Sequence, residues 1–317
     1  MAWKIVTTCD LSDTPKAVNI LNKVGELVQL NNDKLIVMNE IEDCDAYMPG
    51  AALRVDKELL DNAKILKLIG APSTGTDHLD IDLIKKRGIT LFHLAQEYDL
   101  IKSFTATSEL AFGLILSLIR RIPEALENAK KGIWAREYFT GFQLYGKTLG
   151  VLGLGRLGKI SARIGKGFGM RVIAYDIKDI NADGVENVNF KTLLSESDIL
   201  TIHIHLTPES ENMINRDAIK SMKTGAILIN TSRGKIINEN ALIEALNNGH
   251  LAGAGLDVID GEWLSRKELL RHPLIQYAKE HKNIIIVPHI GGATFESVHG
   301  ARVFMAKKMA EFIRTNW

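Results

Sequence analysis

Cysteine is nearly absent from this 317-residue chain: only Cys9 and Cys44 occur. A secreted disulfide scaffold is excluded, and two reduced thiols in a cytoplasmic protein are the expectation. Charge of one sign is not in surplus either. The formal net charge is +1 and no long basic or acidic block occurs, so nucleic-acid or membrane-surface binding has no electrostatic support. Long apolar runs are missing too. The most continuous one, Leu110–Ile119, is interrupted by Gly113 and Ser117 and reads as too short to span a bilayer. The opening Met1-Ala2-Trp3-Lys4-Ile5-Val6 reads as a strand, without the basic and long apolar regions of a signal peptide. Low-complexity segments and short-period repeats are absent.

What is present suits a globular enzyme: 46% hydrophobic and 24% charged residues. The length exceeds what one core usually organises, so two domains are expected. Short apolar runs alternate with amphipathic stretches. Strands are expected at Trp3–Thr8, Lys34–Met38, Ile65–Ile69 and Ile89–Phe92, with helices at Pro15–Leu27, Asp56–Asn62 and Ile81–Arg87. This alternation implies a parallel sheet covered by helices. A long helix is predicted at Thr107–Lys131. The alternation then restarts, with strands at Thr148–Leu152, Arg171–Tyr175, Ile199–Ile204, Ala226–Ile229, Gly253–Leu256 and Asn283–Val287. Between them, Glu239–Asn247 reads as a helix capped by Asn238 and closed by Gly249. The last helix, about Thr294–Arg314, has no sheet near it in sequence and is expected to pack back on the first block. The fold class is therefore α/β, with two doubly wound parallel-sheet domains. A continuous domain (104–288) is inserted in a discontinuous one (1–103 and 289–317).

Gly153-Leu154-Gly155-Arg156-Leu157-Gly158 fits the dinucleotide pattern G-x-G-x-x-G. Alone that pattern is weak, but here a strand precedes it and a helix follows. A second strand then ends at Asp176, close to the offset expected of an acid that holds a ribose. Gly153 permits the tight turn, Gly155 lets a pyrophosphate approach the backbone, and Gly158 lets helix and strand pack closely. The helix N-terminus offers unpaired N–H groups to the phosphates. Asp176 can accept from ribose hydroxyls and repels a 2′-phosphate, which favours NAD over NADP; Lys178 softens that preference. Three later strands each end in a reactive group. Asn230-Thr231-Ser232-Arg233-Gly234 brings Arg233, Leu256-Asp257-Val258-Ile259-Asp260-Gly261-Glu262 brings Glu262, and Pro288-His289-Ile290-Gly291-Gly292-Ala293-Thr294 brings His289. Ligands of open α/β sheets bind beyond these strand ends. Arginine can grip a carboxylate and polarise the adjacent carbonyl. Histidine can donate a proton to the developing alkoxide, and glutamate can hold the imidazole and favour its charged form. Each residue alone is as easily a loop charge; beside a dinucleotide site they suit reduction of a 2-oxo acid.

On these segments, with Gly255-Leu256-Asp257-Val258, the chain resembles the D-isomer-specific 2-hydroxyacid dehydrogenases over essentially its whole length. The resemblance implies a Rossmann cofactor domain inserted in a flavodoxin-like substrate domain, NAD as cofactor, a small 2-hydroxy or 2-oxo acid as substrate, and no metal. It makes Arg233, Glu262 and His289 the catalytic set. It assigns Asp257 to the nicotinamide carboxamide, backbone amides of Arg156 and Leu157 to the pyrophosphate, and Thr231 to the cofactor lining. The run Ser73-Thr74-Gly75-Thr76-Asp77-His78 resembles the family loop that grips the substrate carboxylate, with Thr74 and Gly75 supplying amides. The resemblance also implies a homodimer using the helix near 107–131 and hinge closure over a cleft.

Three positions depart from the family pattern. Trp263 follows the glutamate where proline is common, His205 replaces a proline in Ile202-His203-Ile204-His205-Leu206-Thr207, and Gly50 stands where phosphoglycerate-specific members often carry a basic side chain, although Arg54 is close; glycerate, 3-phosphoglycerate, D-lactate and a branched 2-oxo acid all stay open as substrates. A formate dehydrogenase of the same fold would pair its histidine with glutamine, which Glu262 argues against. An NAD(H)-sensing binding protein or corepressor of the same fold is the alternative from another class.

Overall fold

The computed structural model describes residues 2–178 and 181–316. It divides into two compact units, Met1–Phe104 with Thr294–Trp317, and Thr105–Ala293.

The first unit is built on five parallel strands: β1 (Trp3–Thr7), β2 (Gly25–Gln29), β3 (Ala46–Met48), β4 (Leu68–Gly70) and β5 (Thr90–Phe92). Their order β2-β1-β3-β4-β5 is that of flavodoxin-like sheets. The inner strands are apolar on both faces because helices cover both. Ile5, Met48 and Leu68 pack into one layer with Ala17 and Leu21 of helix Pro15–Leu21 and with the terminal helix Phe295–Thr315. Val6, Tyr47 and Ile69 pack into the other, with Val37, Leu59, Leu60 and Ile84 from three further helices. The terminal helix contributes Met305, Ala306, Met309, Ala310 and Ile313, a stripe at helical spacing. A Cβ at Gly70 would lie 2.4 Å from Met309 Sδ, so strand and helix meet where no side chain intervenes.

Two expectations for this unit fail. Lys34–Met38 is not a strand but part of helix Lys34–Glu40, because Asp33 caps it by accepting from the N–H of Leu35 and Ile36. The strand lies earlier, in β2. The first helix stops at Leu21 rather than Leu27, and the chain runs on from Val24 into an edge strand.

The second unit carries seven parallel strands: β6 (Thr148–Leu152), β7 (Arg171–Tyr175), β8 (Glu186–Asn187), β9 (Ile199–Ile202), β10 (Ala226–Asn230), β11 (Leu251–Leu256) and β12 (Ile284–Ile286). The order is β12-β11-β10-β9-β6-β7-β8. The strand order reverses between β6 and β9, which opens a crevice at the carboxyl ends of those strands. The expected long helix is two, Ala106–Ile119 and Ile122–Lys130, parted at Arg121, whose φ is 52°. Pro123 sits in the first turn of the second helix, where its missing N–H does no harm. By length and composition alone the stretch Tyr98–Ile119 is apolar enough to cross a membrane, longer than the run read from the sequence. Here it is interrupted at 102–105, and Ala111, Phe112, Leu114 and Ile115 of its second part are buried in the core of this unit. The second unit also extends past the expected 288 boundary to Ala293, because residues 289–291 are hydrogen-bonded to Asp257.

Candidate active site

β6 ends at Leu152 and the chain turns through Gly153 into helix Arg156–Gly167. Gly153 has φ 89°, and a Cβ there would come within 2.6 Å of Ile204 and 2.8 Å of the His203 carbonyl oxygen. At Gly158 a Cβ would lie 2.0 Å from the Gly153 carbonyl oxygen, so the first helical turn rests directly on the loop. Gly155 is the helix N-cap and makes no side-chain cap; a Cβ there would meet nothing within 4 Å. The first N–H groups of a helix have no intrahelical partner, and a helix end of this kind is the arrangement that receives a pyrophosphate. Arg156 and Leu157 open the helix, half-buried, and the Leu157 carbonyl accepts from Ser108 Oγ at 2.9 Å. Asp176, just after β7, accepts from Leu154 N–H at 2.6 Å and from Lys178 N–H at 3.0 Å, which ties the loop to the neighbouring strand. Thr231 is buried, and its hydroxyl has no hydrogen-bond partner. A buried hydroxyl in that state is what a bound ligand satisfies. These residues fit a dinucleotide.

Beyond β10, Asn230 shapes the next loop. Its Nδ2 donates to the Arg233 carbonyl at 2.8 Å and its Oδ1 accepts from Ser232 N–H at 2.9 Å. Ser232 Oγ donates to the Ile202 carbonyl at 2.7 Å, fastening the loop to β9. Arg233 is thereby held at the sheet edge, half-buried, with Nη1 donating to the Ser232 carbonyl at 2.7 Å. Beyond β11, the buried Asp257 accepts from Ile290 N–H at 2.7 Å and Gly291 N–H at 2.9 Å, while its carbonyl accepts from His289 N–H at 2.8 Å. Burial raises the Asp257 carboxyl pKa, and the two N–H donors work against that. The resemblance gave Asp257 to the nicotinamide; in the structure its carboxylate clamps the backbone that carries His289. Glu262 Oε2 lies 2.7 Å from His289 Nδ1. This hydrogen bond holds the imidazole pKa above its ordinary value, against the desolvation of the ring. The carboxylate can only accept, so Nδ1 carries the proton and Nε2 is the nitrogen left for a substrate.

Arg233, Glu262 and His289 therefore come together at the carboxyl ends of three adjacent strands of one unit. Thr74 and Gly75 belong to the other unit. They lie in the loop after β4, where Ser73 Oγ donates to the Gly75 carbonyl at 2.8 Å. Sequence reasoning does not single out Glu239 or His272. Both contact the backbone of Asp260, two residues before Glu262, and neither belongs to a local motif.

A glycine turn at a strand-order switch point, an acid after the next strand, and an Arg, Glu and His at neighbouring strand ends define a dinucleotide-dependent oxidoreductase. Residues 112–291 match the family described as D-isomer specific 2-hydroxyacid dehydrogenase, NAD binding domain. The glyoxylate reductase of Thermococcus litoralis is 39% identical over 290 residues, covering 88% of this chain and 83% of that one. The D-3-phosphoglycerate dehydrogenase of Methanocaldococcus jannaschii is 33% identical over 98% of this chain, which spans 57% of that protein. The D-lactate dehydrogenase of Aquifex aeolicus, solved with NAD and lactic acid, superposes with a TM-score of 0.85 at 29% identity, over 99% of this chain and 96% of that one. The chain belongs to the D-isomer-specific 2-hydroxyacid dehydrogenase family. It is an NAD-dependent dehydrogenase, with residues 112–291 matching the family's NAD binding domain.

Proposed function

We propose that the chain interconverts a small 2-oxo acid and its D-2-hydroxy acid, with His289 as acid and base, Glu262 orienting it and Arg233 binding the substrate carboxylate and carbonyl. The observation that carries this reading is the 2.7 Å pairing of His289 with Glu262 in the unit that presents Arg233 from the next strand end. When bound, NADH supplies the hydride that C2 of the oxo acid accepts. Arg233 draws electron density from the carbonyl, and His289 Nε2–H protonates the oxygen as its charge develops. In the oxidative direction the neutral imidazole takes that proton back.

A compact substrate without a phosphate fits best. A Cβ at Gly50 would lie 2.9 Å from the Thr8 carbonyl oxygen, and Gly50 N–H already donates to Thr8 Oγ1 at 2.9 Å. A basic side chain at that position would need the backbone to shift. The relatives include both glyoxylate reductases and D-3-phosphoglycerate dehydrogenases, so this reading rests on the Gly50 geometry. A homodimer is the assembly we infer. The segment after helix Ile122–Lys130 exposes Trp134 (92%), Tyr138 (64%), Phe142 (69%) and Tyr145 (73%), an apolar display suited to a second copy. Both cysteines are buried free thiols, which accords with a cytoplasmic location.

NADH oxidation against a panel of 2-oxo acids, glyoxylate, hydroxypyruvate and pyruvate first, tests the reading. One acid turns over, and Arg233→Ala lowers its kcat/KM by about 100-fold or more while NADH still binds. Tight NADH binding with no acid reduced would overturn it in favour of a nucleotide-sensing protein.

A further inference from the structure

Behind the catalytic loop lies a second pairing of an acid and a histidine. Glu239 opens helix Glu239–Asn247, and its side chain is 16% exposed. Its Oε1 accepts from Asp260 N–H at 2.7 Å. The His272 ring, 7% exposed, stands before helix Pro273–Glu280 with Nε2 2.9 Å from the Asp260 carbonyl oxygen and 3.2 Å from Glu239 Oε2. An Nε2–H donates to both acceptors, while Nδ1 is buried without a partner. Asp260 is thus held at its N–H by one helix and at its C=O by the approach to another. Its neighbours make that placement matter. Gly261 follows at φ 82° and Glu262 comes next. On the other side, a Cβ at Gly234 would lie 2.0 Å from the Ile259 carbonyl carbon and 2.2 Å from Asp260 N, so the backbone next to Arg233 presses on this stretch.

We infer that Glu239 and His272 are positioning residues for the catalytic set, gripping Asp260 so that Glu262 reaches His289 and the Arg233 loop keeps its seat. The inference rests on the catalytic reading above and reaches it through Glu262. Burial pushes the Glu239 carboxyl up to about 7, opposed by the Asp260 N–H and reinforced by the Asp260 carboxylate. The groups facing Glu239 are His272 and Asp260; those facing His289 are Glu262, Asp257 and Arg233.

The decisive measurement is the titration of His289 by NMR in the intact protein, its signal assigned among the nine histidines by loss in His289→Asn. In Glu239→Ala the His289 midpoint drops toward that of Glu262→Gln. In Glu239→Gln, which keeps an oxygen for the Asp260 N–H, most of the wild-type midpoint returns. Turnover follows: kcat falls about 10- to 100-fold in Glu239→Ala with KM for NADH unchanged. The double variant Glu239→Ala/Glu262→Gln is no slower than Glu262→Gln alone. If Glu239→Ala does not fold, His272→Leu applies the same test from the carbonyl side. An unmoved His289 midpoint in a folded variant, or losses that multiply in the double variant, overturns the positioning role. A wild type that reduces no 2-oxo acid while His289 still responds to Glu239 overturns the dehydrogenase reading and leaves the positioning standing.

Discussion

His289 carries its imidazole on a backbone with φ 53°, in the left-handed region that non-glycine residues seldom enter. Such a conformation costs about 1–3 kcal/mol and persists only where its surroundings over-determine it. Here Asp257 does so with three hydrogen bonds spread over residues 289–291. The ring is then fixed relative to Glu262, and a pH dependence follows. Because the imidazole pKa is raised, His289 keeps its proton to higher pH than a free histidine. Reduction needs that proton, so kcat/KM for the oxo acid holds at low pH and falls as pH rises through the His289 value; oxidation gains over the same range. Glu262→Gln removes the largest cause of the raised value, and the falling limb moves to lower pH. Profiles of both enzymes over pH 5–10 check this, and a limb that stays in place refutes the pairing as its origin. Stability shares the sign. A folded pKa above the unfolded one stabilises fully below the unfolded value and is lost as pH rises through the folded one.

At the scale of elements, the loop from β6 into helix Arg156–Gly167 has no slack. Gly158→Ala puts a methyl 2.0 Å from the Gly153 carbonyl oxygen, a backbone atom that cannot swing aside. We expect a loss of about 1–3 kcal/mol in stability and weaker NADH binding, both read from thermal melts with and without NADH; unchanged melts would mean that the helix can tilt freely. This loop was legible in the sequence because its requirements are local: the glycines, the strand before and the helix after all fall within one short window. The inner strands of the second sheet were legible for a similar reason, as continuous apolar runs; its edge strand β8, two exposed polar residues, was not. The first sheet was less legible. Lys34–Met38 is apolar enough to pass for a strand, and only the cap at Asp33 decides for helix. β2 is an edge strand with no fully buried residue, so its pattern is weak. The break at Arg121 has no glycine to announce it, and Pro123 is its only mark. Glu239 and His272 were invisible because their meaning depends on a backbone group that neither neighbours in sequence.

For the whole molecule, the exposed rings of Trp134, Tyr138, Phe142 and Tyr145 set a prediction about assembly. Light scattering gives twice the chain mass for the wild type. Tyr138→Asp with Phe142→Asp gives a single chain that still binds NADH; a wild type already monomeric in dilute solution would refute the pairing. The discontinuity of the first unit has a consequence during synthesis. Its sheet is complete once Phe92 has been made, yet one face is closed by Met305, Met309 and Ile313 of the terminal helix. At about 5–20 residues per second, the ribosome takes roughly ten to forty seconds to travel from one to the other. Through that interval the inserted unit can fold while this sheet has helix Pro15–Leu21 on that face but lacks the terminal helix, and part of its apolar surface stays exposed. The nascent chain therefore matures from the middle outward, and its first hundred residues are the part most in need of a chaperone.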